Sequence, residues 1–309
     1  DLGIIERIRS KLHPTLDTFW REAIGSTDRG YLKGSGNGYQ KLRPSSRIRK
    51  TGDGLPGVDA RYLHGLPEIT AATFTDVSVD PAELDLFSQE RIHDPRSREL
   101  FVGPLLVVHK SPPAISGRIG LAVSEKDAVF NETFYGYSPG DFADPRGLTS
   151  YLALVIGSKL AVWFALMTSG EFGFEREVVE KATLDRIPLP DFRKFNRKKI
   201  AEIEKLYEGL RTDNVTWQEV DEWVVNLYGL GRRDLQVISD TLEFNLPFAQ
   251  NKSDAQAMPS RQEQVRFCEV LAEELTPWSK RLGSELHVHS LDHSTALPWY
   301  GLEVRTSES

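Results

Sequence analysis

The sequence predicts an α/β (α+β) domain with a long buried central helix, followed by an α-helical spacer and a small α+β C-terminal unit. The stretch from Tyr151 to Gly170, YLALVIGSKLAVWFALMTSG, is apolar almost all round. A helix of that kind is buried against other elements rather than half-exposed. Several short apolar runs precede it, and helical spacing resumes after the stop at Pro188-Leu189-Pro190. The length would suffice to span a bilayer. Lys159 sits near the middle, however, and no basic flank sets an orientation, so a core helix is the better reading.

Taken in order, Ile4, Ile5, Ile8, Leu12, Leu16, Phe19, Trp20 and Ala23 follow a helical spacing, with Pro14 kinking or splitting the helix. Leu66 to Phe74 and Asp85 to Phe87 are short pieces. Leu100 to His109, Arg118 to Val123 and Ala128 to Tyr137 read as three strands. The central helix and a shorter second one follow. Residues 197–211 and 217–246 read as helices, with Gly229 able to end one in a left-handed conformation. A polar linker leads to a helix over 261–283. Two strands follow, Glu285 to His289 and Gly301 to Arg305. The expected division is an N-terminal helix (1–24), a main domain (25–190), a helical spacer (191–246), a linker (247–260) and a C-terminal unit (261–309).

The composition is that of an ordinary globular protein, with 39% apolar and 27% charged residues among 309. The single cysteine, Cys268, cannot form an intrachain disulfide and fits a reducing, cytoplasmic setting. No signal peptide is visible. A net charge of −7 argues against indiscriminate coating of nucleic acid. The charge is unevenly spread. Between Arg29 and Lys50 stand Arg29, Lys33, Lys41, Arg43, Arg47, Arg49 and Lys50, and no Asp or Glu. A second run holds Arg193, Lys194, Arg197, Lys198 and Lys199. Two basic runs in an acidic chain point to a localised surface for a polyanion.

Five motifs occur in a familiar order. Gly36-Asn37-Gly38-Tyr39-Gln40 is followed by Phe101-Val102-Gly103-Pro104-Leu105-Leu106. Then come Arg118, Ala122-Val123 and Phe130-Asn131-Glu132-Thr133. The helix around Leu152 to Leu160 ends its segment at Leu184, Ile187, Pro188, Leu189 and Pro190. Last is Asp221-Glu222-Trp223-Val224-Val225-Asn226-Leu227-Tyr228-Gly229-Leu230. Over residues 25–245 this order resembles the target-recognition domain plus helical spacer of N6-adenine DNA methyltransferases of the Type IIG and Type I restriction-modification families. Gly231 stands where that pattern has a Ser or Thr cap, and glycine also serves as an N-cap.

The resemblance implies a sequence-specific DNA recognition module whose partners are double-stranded DNA and an upstream methyltransferase domain. The parent would be a site-specific adenine methyltransferase using S-adenosylmethionine, with no cofactor in this chain and no membrane partner. Residues 25–190 become the recognition domain. Gln reads adenine and Arg reads guanine in the major groove, while lysines hold phosphates. The residues assigned to DNA are Lys33, Asn37, Tyr39, Gln40, Lys41, Arg43, Arg47, Arg49, Lys50, Lys110 and Arg118.

Catalytic signatures are missing. An adenine methyltransferase needs an acidic or amide residue before Pro-Pro-aromatic, so that the ring stacks on the flipped base. The one Pro-Pro here is Ser111-Pro112-Pro113-Ala114, with no ring after it. Gly34-Ser35-Gly36-Asn37-Gly38 lacks the Gly-Lys-Ser/Thr ending of a phosphate loop. No Asp or Glu stands two residues before a lysine, so the usual nuclease metal site is absent. The alternatives are a metal-dependent enzyme using His287, His289 and His293, and a protein-interaction scaffold.

Overall fold

The computed structural model describes residues 1–23, 25–32, 57–74, 77–111, 117–170, 172, 178–250, 259–291 and 301–308. The chain divides into two units, Asp1–Lys252 and Ser253–Ser309. It is a mixed α+β protein.

In the first unit the strands are β1 (Ser26–Arg29), β2 (Val58–Asp59), β3 (Glu68–Ile69), β4 (Val77–Val79), β5 (Arg91–Ile92), β6 (Leu105–His109), β7 (Leu121–Ser124), β8 (Val129–Phe130) and β9 (Phe134–Ser138). The helices are α1 (Leu2–Ser10), α2 (Leu16–Ala23), α3 (Pro145–Gly157), α4 (Lys159–Thr168), α5 (Lys181–Leu184), α6 (Arg197–Arg211), α7 (Trp217–Leu227) and α8 (Arg232–Gln250). A five-stranded sheet runs in the order β1-β9-β6-β7-β4, antiparallel except where β4 meets β7. Two small pairs, β2 with β5 and β3 with β8, stand beside it.

Each face of the sheet is buried in its own core. Leu106, Val108, Leu121, Val123, Tyr135 and Tyr137 join the helices. Leu105, Val107, Ala122 and Phe134 turn the other way, to Tyr31, Phe87, Phe101 and Phe130. Successive strand residues point to opposite faces, so a strand covered on both sides reads as an unbroken apolar run. That is why LLVV in β6 carries no polar alternation.

The single central helix expected from the sequence is two helices. It begins six residues earlier than expected, where Asp144 accepts from the Gly147 amide at 2.9 Å and Pro145 takes the first turn. It then bends by 60° between α3 and α4. Ser158 is extended there, with φ −72° and ψ 155°, and its hydroxyl donates to Val155 O at 2.7 Å. Among the described residues no single helix is long and apolar enough to cross a membrane. Both halves of the pair are buried in the core.

Gly157 closes α3 against Trp217. A Cβ there would lie 2.4 Å from Trp217 Cη2 and 3.0 Å from Leu121 Cδ2. Gly157→Ala is therefore expected to cost about 1–3 kcal/mol through overpacking, read as a lowered midpoint in thermal or denaturant unfolding. An unchanged midpoint would mean that the indole moves aside freely.

The N-terminal helix splits near Pro14 as expected, and two further departures follow. Between α1 and α2, Leu12 adopts a left-handed conformation (φ 50°) ahead of Pro14. The strand expected over Ala128 to Tyr137 is β8 and β9. Between them the Asn131 side chain accepts from the Thr133 amide at 2.9 Å and turns the chain. The expected spacer does not stand apart. Ile203, Tyr207 and Leu210 of α6, Val220, Val224 and Val225 of α7, and Ile238 and Leu242 of α8 share the core of α3 and α4. Gly229 ends α7 at φ 68°, and the Asp234 carboxylate accepts from the Gly231 amide at 2.9 Å as α8 starts.

The second unit is α9 (Arg261–Arg281) and the antiparallel pair β10 (Ser284–Ser290) and β11 (Leu302–Glu308). A capping box of Ser260 and Glu263 starts α9.

Candidate nucleic-acid interface

The assigned residues from Lys33 to Lys50 lie outside the described residues. The structure does describe the point of departure. The chain reaches it through β1, whose register pairs Arg29 with Tyr135 of β9. On the far side of β9, Val108 of β6 also pairs with Tyr135. Lys110 comes two residues later and so lies on the same face. Its ammonium stands 5.2 Å from the Tyr135 ring centroid. Arg29 and Lys110 thus flank one tyrosine across three strands.

Lys110 is held from both sides. Its amide donates to Thr133 O at 3.3 Å, and its carbonyl accepts from the Val179 amide at 2.9 Å. The side chain is half-buried, and burial, with Arg29, pushes its pKa below the usual lysine value against the opposing pull of Glu132 and Glu180. Among the described residues, neither Arg29 nor Lys110 has a carboxylate within ion-pair distance. Arg96, by contrast, is bound to Asp94 at 3.1 Å and Asp28 at 3.3 Å. A half-buried cation with no ion pair of its own can donate charge-assisted hydrogen bonds to an external anion, most strongly to a phosphate oxygen.

Arg118 is placed differently. Its side chain is 13% exposed and grips Asp221, which is 4% exposed. Nη1 lies 2.9 Å from Asp221 Oδ1 and 3.2 Å from Gly157 O, and Nη2 binds Oδ2. The guanidinium also lies 4.9 Å from the Trp217 ring centroid. Asp221 Oδ1 in turn accepts from the Lys159 amide at 2.9 Å. The ion pair therefore closes the break in the central helix. Arginine takes an orphan carbonyl at the end of α3, and aspartate takes an orphan amide at the start of α4. Both charges match the helix dipoles. Arg118 is a strut of the fold, its guanidinium already committed to Asp221 and Gly157 O.

No protein-family model matches this chain. A search of the curated proteins finds no match either.

The pairing of Arg29 with Tyr135 was not legible in the sequence, since it depends on strand register. Asp221 did carry a signal. It shares a helical face with Val224, Val225 and Tyr228, and an acid on an apolar face calls for a buried cation. In the second unit His287 and His289 stack at 6.3 Å on the exposed face of β10. Arg305 is paired with His287, which adds a positive charge beside them. Among the described residues no group of three ligands could hold a metal, and His293 lies outside those residues.

Proposed function

We propose that this chain is the sequence-specific DNA recognition module of a site-specific adenine-N6 DNA methyltransferase from a restriction-modification system. Methyl transfer and its S-adenosylmethionine are assigned to an upstream domain of the parent protein. The ordered motifs support the family, and one structural observation carries the DNA reading. Arg29, in register with Tyr135, and Lys110, over its ring, stand without ion pairs among the described residues at the start of the cation-rich sequence 29–50. In this reading these two cations hold phosphate, and Tyr39, Gln40, Arg43 and Arg47 read bases.

The test is an Arg29→Ala/Lys110→Ala variant in a mobility-shift titration with duplex DNA. Removing two phosphate contacts is expected to weaken binding about tenfold for any duplex, cognate or random. Binding equal to wild type would remove these cations from the interface.

A further inference from the structure

A cleft of about 450 Å³ lies between the α1–α2 connection and the chain that follows α5. Arg9 from the end of α1, Leu12 and His13 from the connection, Phe164 from α4, and Arg186 and Pro188 form its walls. All belong to the first unit and none is an assigned DNA residue. The walls are tied together. Leu16 N donates to Ile187 O at 2.9 Å, and Leu189 N donates to Pro14 O at 2.7 Å. Tyr228 donates its hydroxyl proton to Pro188 O at 2.6 Å, and its ring meets His13 edge-on at 6.1 Å.

None of the lining residues is acidic. The one side-chain hydrogen bond of Arg186 among the described residues runs from Nε to Ala182 O, which leaves both terminal nitrogens for a ligand. Arg9 makes no side-chain hydrogen bond or ion pair among those residues. Burial, Lys11 and Lys194 push the His13 pKa down, so the imidazole is neutral at neutral pH and adds a polar nitrogen without charge. Leu12 is 89% exposed and holds φ at 50°, a region that L-residues rarely enter. The fold thus keeps an apolar side chain at the rim of a cationic cleft at a conformational cost.

We propose that this cleft binds a small organic phosphate monoester. The phosphate lies between the Arg9 and Arg186 guanidiniums, and an aromatic or aliphatic body rests on Leu12, Phe164 and Pro188. Two positive charges match a phosphate dianion, and guanidinium forks suit its oxygens. The volume falls within the range of ligand pockets. The proposal does not depend on the DNA reading.

The experiment is isothermal titration of the full chain with phenyl phosphate, with phenol and inorganic phosphate as the two half-ligands. Phenyl phosphate is expected to bind more tightly than either half. Arg9→Gln/Arg186→Gln is expected to weaken it at least about tenfold, through removal of two charge-assisted hydrogen-bonding groups. Both arginines are exposed, so the melting temperature should hold. Leu12→Gly relieves the left-handed backbone and should weaken binding while leaving the fold at least as stable. Phenol binding as tightly as phenyl phosphate, or the double variant binding like wild type, overturns the proposal. So does displacement of phenyl phosphate by a short DNA duplex, which would make the cleft a site for backbone phosphate instead.

Discussion

Asp221→Ala is expected to destabilise the protein by about 3–5 kcal/mol, because it strands a buried charge and does not merely delete a hydrogen bond. Two groups are deprived of a partner together. Arg118, 13% exposed, loses its carboxylate and keeps its contacts to Gly157 O and the Trp217 ring. The Lys159 amide at the start of α4 loses its acceptor, and α4 loses the negative charge at its N-terminus. Asp221→Asn keeps an oxygen for the amide and should cost less. Replacing both partners, as Arg118→Met/Asp221→Leu, should cost less than the sum of the single changes, since no charge then remains buried. Equilibrium denaturation of these three variants, together with Arg118→Met and Asp221→Leu singly, checks this. A loss below about 1 kcal/mol for Asp221→Ala would be the value of an exposed pair and would contradict the clasp.

The largest functional effect is expected from Lys41, Arg43 and Arg47. Neutralising all three should lower affinity for every duplex and flatten the log–log salt dependence by roughly 0.9 for each phosphate that is no longer neutralised. The second basic run is the control. Lys199 is already paired with Glu202 at 3.1 Å, and its ammonium stands 4.7 Å from the Trp223 ring centroid. Arg193 is bound to Asp191 at 2.8 Å and to Glu22 at 3.2 Å. Neutralising Arg197, Lys198 and Lys199 should therefore do less. A base reader behaves differently again: Gln40→Ala should cost about 1–3 kcal/mol on the cognate site and little on random DNA.

Local patterns made much of the fold legible. The unbroken apolar run of β6 announced a strand covered on both faces, and the spacing of Val224, Leu227 and Tyr228 announced α7. Gly229 announced its end. The bend at Ser158 was not legible, because an all-round apolar helix has no period to interrupt. Its cause lies far away in the chain, in Asp221 and Trp217. Ala128 to Tyr137 misled for a related reason. Asn131 and Thr133 fit a polar strand face as well as a turn, and only the side-chain hydrogen bond decides between them. At the candidate interface, composition marked the cations from Arg29 to Lys50. Register brought Lys110 beside Arg29, and packing drew Arg118 inward.

The most direct test of the DNA reading is fluorescence anisotropy of a labelled duplex titrated with the wild-type chain over a series of salt concentrations. Cations displacing condensed counterions predict binding that weakens steeply as salt rises, with a log–log slope of roughly −0.9 per phosphate neutralised. No binding at low salt, or an affinity that does not change with salt, would contradict it.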